Sequence, residues 1–110
     1  MKQFQFDDLV GRMHSGHVSW MEFLRVDALS MGLYTLKAGA SDGQRPHNED
    51  EVYYVISGKA KFRAGNEEWS AQPGAIFYVR RLLDHKFVEI ESDLTMLVFF
   101  APAESSSKST

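Results

Sequence analysis

Short strand-forming segments, separated by turn residues at intervals near ten residues, recur along almost the whole chain. Small and polar residues mark the turns, at Gly39, Gly43, Gly58, Gly65-Asn66, Pro73-Gly74 and Ser92-Asp93. The predicted strands are His17–Val26, Leu29–Lys37, Glu51–Ser57, Lys59–Ala64, Glu67–Ala71, Ala75–Arg80, His85–Ile90 and Leu94–Phe100. Antiparallel sandwiches and barrels show this spacing, so the sequence predicts an all-β domain.

One segment near the start of the chain, Phe6–Met13, has the features of an α-helix instead. Its apolar residues form a helical stripe, and Asp7 or Asp8 is placed to cap the first turn. The chain of 110 residues fits a single domain, which we expect to span residues 1–102. Ala103 begins a small, polar, Ser-rich segment, and we predict that residues 103–110 form a disordered tail.

The composition excludes several functional classes. There are 12 basic and 15 acidic residues, a formal net charge of −3, whereas a nucleic-acid-binding domain shows a basic surface. The chain has no cysteine, so neither disulfides nor thiolate metal sites are possible. The apolar runs are too short to cross a bilayer, and the first residues lack the apolar region of a signal peptide. We therefore expect a cytosolic protein that binds neither nucleic acid nor membranes.

Two of the predicted strands, Glu51–Ser57 and Leu94–Phe100, are apolar on both faces. In the first, Tyr53 points to one face while Val52 and Tyr54 point to the other. A sandwich needs only one buried face for each strand. The second face must be covered by the N-terminal segment or by another subunit. We expect a homodimer, because a chain this small has little other material for that role.

An unusually polar segment leads into the strand that begins at Glu51. His47 and Glu51 are four residues apart, and along a straight strand they would be separated by ~13 Å, too far to share one ion. They converge only if the chain bends at residues 48–50, which are turn-tolerant. If the strand stays straight, Glu49 is the better partner for either residue. The spacing leaves both carboxylates as candidates.

A second histidine, His85, opens a later strand and shares a face with Phe87 and Glu89. Two imidazoles and a carboxylate form a common set of ligands for Fe, Mn, Ni or Zn, with positions left open. Such a site needs a dry cavity, and we predict that it is lined by Tyr53, Phe62, Phe77 and Phe87, with Arg45 and Glu89. His14 and His17 are also closely spaced, but we interpret them as surface residues.

These residues resemble the motifs of the cupin superfamily, which consists of small jelly-roll domains. The first cupin motif places a glycine, then His-x-His, then a glutamate three or four residues later, and a second glycine after six more. Here His47, Glu51 and Gly58 match that spacing. Arg45 occupies the place of the first histidine, and the leading glycine, Gly43 or Gly39, is out of position.

The second cupin motif runs glycine, five residues, Pro-x-Gly, two residues, histidine, three residues, asparagine. Gly74 and His85 have the expected separation. Arg80 replaces the proline, Leu82 replaces the glycine and Glu89 replaces the asparagine. The likeness covers roughly residues 29–100 and is greatest to small single-domain bacterial cupins of unassigned function.

The resemblance implies a double-stranded β-helix in which His47, Glu51 and His85 supply three of the four usual metal ligands. Arg45 cannot bind a cation, because its guanidinium stays protonated, although Gln44 offers a weak carbonyl ligand. A guanidinium at position 45 would instead pair with a nearby acid, hold an anionic ligand or face solvent. The adjacent Arg80 and Arg81 are either surface charges or a means of attracting an anion.

Three interpretations of the site remain open at this point. The first is a metal-dependent enzyme that acts on a small oxygen-bearing substrate. The second is a non-catalytic module of the same fold that binds a small ligand, since fold does not decide function. The third is purely structural: Glu51 forms a salt bridge to Arg45 or Lys61, and His85 is packed in the core.

Overall fold

The computed structural model describes residues 1–43 and 46–104. The roles predicted for Gln44 and Arg45 therefore lie outside the described residues. One helix is followed by six strands in this part of the chain: α1 (Phe6–Gly16), β1 (Trp20–Val26), β2 (Leu29–Leu36), β3 (Asp50–Ala64), β4 (Glu67–Ala71), β5 (Ile76–Val79) and β6 (His85–Ala101).

All strand pairs are antiparallel, and the strands are ordered β1-β2-β6-β3-β4, with β5 also paired to β3. The predicted all-β fold with an N-terminal helix is therefore confirmed. Within residues 1–43 and 46–104 there is no helix long and apolar enough to cross a bilayer.

The sequence predicted too many strands, because two of its turn signals lie inside long strands. Gly58 falls within β3, and Ser92-Asp93 falls within β6. Around Gly58 the β3–β6 register shifts, as at a β-bulge. Gly58 has a φ of 97°, and a Cβ added there would lie 2.2 Å from the Asp93 carbonyl oxygen. The glycine thus permits a close approach of two continuous strands rather than a turn.

The two longest strands form a ribbon whose opposite ends meet. Glu51 pairs with Phe100 at one end of the β3–β6 ladder, and Ala64 pairs with His85 at the other. Since Glu51 and Ala64 are 13 residues apart in β3, a flat ribbon would hold these ends roughly 40 Å apart. Yet Glu51 Oε1 lies 3.0 Å from His85 Nε2. The ribbon must therefore coil around the core.

The main core fills the inside of this coiled ribbon with the inward-facing side chains of β3 and β6. Tyr53, Val55 and Met96 are fully buried there, together with the rings of Phe62 and Phe87. The inward direction of Tyr53 and Val55 follows the predicted alternation along the strand. Because Glu51 shares their face, its carboxyl group is placed inside the barrel.

The outer face of the sheet is only partly covered by helix α1. Leu9 and Met13 pack on Leu33, and Ile56 and Leu97 border the same cluster. Residue Gln5 precedes the helix as its N-cap and forms no side-chain cap, whereas Asp7 and Asp8 lie in the first turn. The predicted capping by either aspartate is therefore wrong, although both acids still face the positive end of the helix dipole.

The packed part of the chain extends past the predicted end of the domain. Ala103 and Glu104 were assigned to the polar tail, yet only 4% and 8% of their surfaces are exposed. The Glu104 amide donates to Ser30 Oγ at 2.8 Å, and the Arg25 guanidinium donates to the Glu104 carbonyl. These bonds hold the segment against β1 and β2. The rest of the predicted tail, residues 105–110, lies outside the described residues.

Candidate metal centre

Three side chains from separate parts of the fold converge at the meeting ends of the ribbon. His47 lies before the bend at residues 48 and 49, Glu51 is near the start of β3, and His85 begins β6. One potential ligand atom from each lies within 4.8 Å of the others. His47 Nε2 is 3.9 Å from Glu51 Oε1, so the chain does bend as the metal hypothesis requires.

The geometry of these three groups fits a divalent ion. Ligand atoms bonded at ~2.1 Å are separated by about 3 Å when adjacent and about 4 Å when opposite. The two measured contacts of Glu51, 3.0 and 3.9 Å, are in that range. Glu51 is 1% exposed, and its Oε2 accepts no hydrogen bond from the described residues. A buried carboxylate oxygen without a donor is costly unless a cation satisfies it.

The position of His85 is determined by a backbone carbonyl. Its Nδ1 lies 2.8 Å from the Leu83 carbonyl oxygen, which can only accept, so Nδ1 carries the proton. In the neutral ring, Nε2 then presents its lone pair towards Glu51, with the Tyr53 hydroxyl 3.1 Å away. Burial lowers the pKa of His85, but the contacts with Glu51 and Leu83 outweigh it, so that the pKa is raised.

His47 is held from both its backbone and its ring. The Leu82 amide donates a hydrogen bond to the His47 carbonyl at 2.7 Å. On the side-chain side, Nδ1 lies 3.7 Å from Glu104 Oε2, and the ring meets Phe100 edge-to-face at 5.0 Å. A carboxylate behind the non-ligating nitrogen is a common way to orient a histidine for a metal.

A cavity of about 150 Å³ opens beside this group. Its wall consists of Trp20, Tyr34, His47, Glu51, Val98, Phe100 and Glu104. This differs from the predicted lining. Tyr53, Phe62 and Phe87 are instead fully buried in the core behind His85. Phe77 stacks on Phe62 with ring centres 4.6 Å apart, and the exposed Glu89 pairs with Lys61 at 3.7 Å.

Asp42 links the cavity wall to the strand that carries His85. It is 7% exposed, and its two oxygens accept from the Tyr34 hydroxyl and the Phe87 amide, both at 2.9 Å. Burial, followed by the nearby Asp42 charge, raises the pKa of Tyr34 well above its usual range. Tyr34 therefore remains a neutral phenol whose proton is directed to Asp42.

Six of these residues were not predicted as site residues from the sequence: Trp20, Tyr34, Asp42, Val98, Phe100 and Glu104. Only the apolar and aromatic character of β1 and β2 offered a signal for the first two. Nothing in the polar loop or the Ser-rich end distinguishes Asp42 or Glu104 locally, since their roles depend on which strands they reach.

The remaining candidate residues lie apart from the three-residue group. Glu49 is 2% exposed but is not part of it, so the structure brings Glu51 to the two histidines. His14 and His17 are exposed, as expected. Arg80 and Arg81 are exposed too. Lys61 pairs with Glu68 and Glu89, both at 3.7 Å, rather than with Glu51. Arg45, the other partner that the purely structural interpretation allowed for Glu51, lies outside the described residues.

The chain is similar to known proteins in both sequence and structure. The uncharacterized protein SCO3923 of Streptomyces coelicolor is 42% identical over 105 residues, covering 96% of this chain and all of the relative. The structure of TT1209 from Thermus thermophilus is 25% identical with a TM-score of 0.71, covering 94% of this chain and 99% of the other. The DMSP lyase DddQ from Ruegeria pomeroyi is 21% identical with a TM-score of 0.65.

The similarity to the DMSP lyase DddQ covers 69% of this chain but only 39% of the lyase chain, so this chain spans about two fifths of that enzyme. It supports the fold alone, and the predicted jelly roll is confirmed. The model of the Cupin domain family matches residues 32–101, which include all three converging side chains. The chain therefore belongs to the cupin family.

Proposed function

We propose that this cupin holds a divalent metal ion with His47, Glu51 and His85 and acts on a small oxygen-bearing substrate in the adjoining cavity. The observation that carries the proposal is the buried Glu51 carboxylate between two imidazoles, at 3.0 and 3.9 Å. Within the described residues it pairs with no lysine or arginine. A carboxylate so placed needs a positive charge, which a metal ion supplies.

When bound, the ion supplies Lewis acidity towards an oxygen of the substrate. The chain supplies the rest of the site. The Leu83 carbonyl keeps His85 Nε2 available as a ligand, and the Glu104 carboxylate lies 3.7 Å from His47 Nδ1. Trp20 and Phe100 form apolar walls that limit access of water. Fe, Mn, Ni and Zn all suit two imidazoles and a carboxylate.

The test compares two neighbouring carboxylates. Metal-free protein is incubated with each of the four metals and desalted, and bound metal is measured by mass spectrometry. We expect about one ion per chain in the parent and in Glu49→Gln, and little in Glu51→Gln or His85→Ala. Glu49→Gln is the matched control, because Glu49 is equally buried. Equal metal content in all four proteins would contradict the metal site and leave the non-catalytic ligand-binding module.

The assembly that we propose is a homodimer formed through the exposed face of strands β3 and β5. Tyr54, Ile76 and Tyr78 are 40%, 67% and 65% exposed, and Tyr54 pairs directly with Ile76 across the strands. Helix α1 covers a neighbouring part of the same outer face, around Leu33, Ile56 and Leu97. A closed two-fold contact is the commonest way to bury such an apolar face.

A further inference from the structure

The cavity beside the candidate metal centre is walled by aromatic rings. Trp20, Tyr34 and Phe100 all line it, and the Trp20 ring is inclined by 75° to Tyr34 and by 82° to Phe100. Trp20 lies directly over Gly32, where an added Cβ would fall 2.1 Å from the indole. The backbone thus leaves a recess for the indole, and the ring is in place before any ligand arrives.

Apart from the imidazole of His47, the ionisable groups that line the same wall are acidic. Glu51 and Glu104 contribute two carboxyl groups, and no lysine or arginine among the described residues lines the cavity. The hydroxyl group of Tyr34 donates a hydrogen bond to Asp42, so its oxygen can present only a lone pair to the cavity. These carboxylates would therefore repel an anionic group from the cavity and attract a cation.

Rings and carboxylates around a small space are the elements from which proteins build sites for methylated cations. Aromatic faces attract the diffuse positive charge of an onium group, which needs no hydrogen-bond acceptor of its own. The volume of about 150 Å³ matches that of an engineered cavity that binds benzene, so it accommodates a trimethylammonium or dimethylsulfonium group.

We infer that this cavity binds a small onium cation, with its charged group against the rings of Trp20, Tyr34 and Phe100 and its oxygen-bearing end towards His47 and Glu51. The inference extends the proposed function, since it names the ligand class of the same cavity. Glu104 lies in the wall of that cavity and adds a compensating negative charge.

The first experiment uses two molecules of the same shape. Choline and its uncharged carbon isostere, 3,3-dimethylbutan-1-ol, are titrated into the parent protein and binding is followed by calorimetry. We expect choline to bind at least about tenfold more tightly, because cation–π attraction acts on the charged molecule alone. Equal affinities, or tighter binding of the alcohol, would overturn the inference.

Substitutions test which side chains cause the preference for choline over the alcohol. Trp20→Leu should abolish the preference for choline, while Trp69→Leu, which changes the exposed tryptophan of β4, should keep it. Glu104→Gln keeps the shape of the side chain and should weaken choline binding roughly tenfold more than it weakens binding of the alcohol. If Trp20→Leu fails to fold, the parent and Glu104→Gln titrations still decide. An unchanged choline affinity in Glu104→Gln would place the cation elsewhere.

Measuring both metal-free and metal-loaded protein separates this inference from the proposed function. A choline preference in protein that retains no metal supports the onium site and contradicts the metal centre. Stoichiometric metal without any choline preference supports the metal centre and overturns the onium site.

Discussion

The amide of Leu82 donates a hydrogen bond to the carbonyl of His47 across 2.7 Å, and Leu82 holds this position with a φ of 66°. The left-handed conformation is unfavourable for a leucine. Leu82 occupies the place where the cupin motif has glycine. The turn before His85 therefore supports the candidate ligand His47 through a strained residue.

Relief of this strain gives the first prediction. Leu82→Gly should be more stable than Leu82→Ala by about 1 kcal/mol, because both remove the same exposed side chain but only glycine accepts this φ without penalty. The free energy of unfolding from urea titrations measures the difference. Equal stability of the two variants would contradict the strained turn.

Gly39 and Gly58 both have positive φ angles, but they should respond very differently to substitution by alanine. Gly39→Ala meets no atom within 4 Å and should lose about 1 kcal/mol for its φ of 79° alone. Gly58→Ala places a Cβ 2.2 Å from the Asp93 oxygen and should lose about 3 kcal/mol or more. Chemical denaturation of both variants measures the gap. Equal losses would show that β3 and β6 separate easily at the bulge.

In metal-free protein, stability should fall as the pH rises. Burial opposes the charged form of His85, but its contacts with Glu51 and Leu83 outweigh burial, so the pKa of His85 is raised in the folded state. Its ion pair is thus fully present below the unfolded pKa of about 6.5 and is lost as the pH rises through the folded pKa. Unfolding in urea with EDTA at pH 6 and pH 8 measures this dependence.

The histidine responsible can be identified with two variants. His85→Gln should flatten the dependence on pH, whereas His14→Gln, at an exposed histidine, should leave it as in the parent. Metal affinity should change with pH in the opposite direction, because the ligands must be deprotonated. Identical pH profiles in the parent and His85→Gln would refute the assignment.

If the proposed dimer forms, a charged side chain on the exposed face of β3 and β5 should disrupt it. Ile76→Lys or Tyr78→Lys should give a monomer in light scattering at micromolar concentration, because a charge in an apolar interface is costly. Val18→Lys, at another exposed apolar residue, is the control and should remain dimeric. A monomeric parent protein would exclude the dimer outright.

The sequence predicted the convergence of His47, Glu51 and His85 from their spacing and from the cupin likeness, and the structure brings them together. It did not predict the cavity wall, because Trp20, Tyr34 and Glu104 meet only through the order of strands β1, β2 and β6. A local pattern gives the face on which a side chain lies, but not its depth. Phe62 and Phe87 accordingly lie on the expected face but in the core.

The coiled β3–β6 ribbon determines when in folding an ion can act. Glu51 and His85 belong to opposite ends of the β3–β6 ladder. A ladder whose strands have paired over only part of their length therefore does not bring these two side chains together. An ion can bridge them only after closure is complete and must leave before the ends part. A bound metal ion would therefore change the folding rate little and would mainly slow the unfolding of the closed barrel.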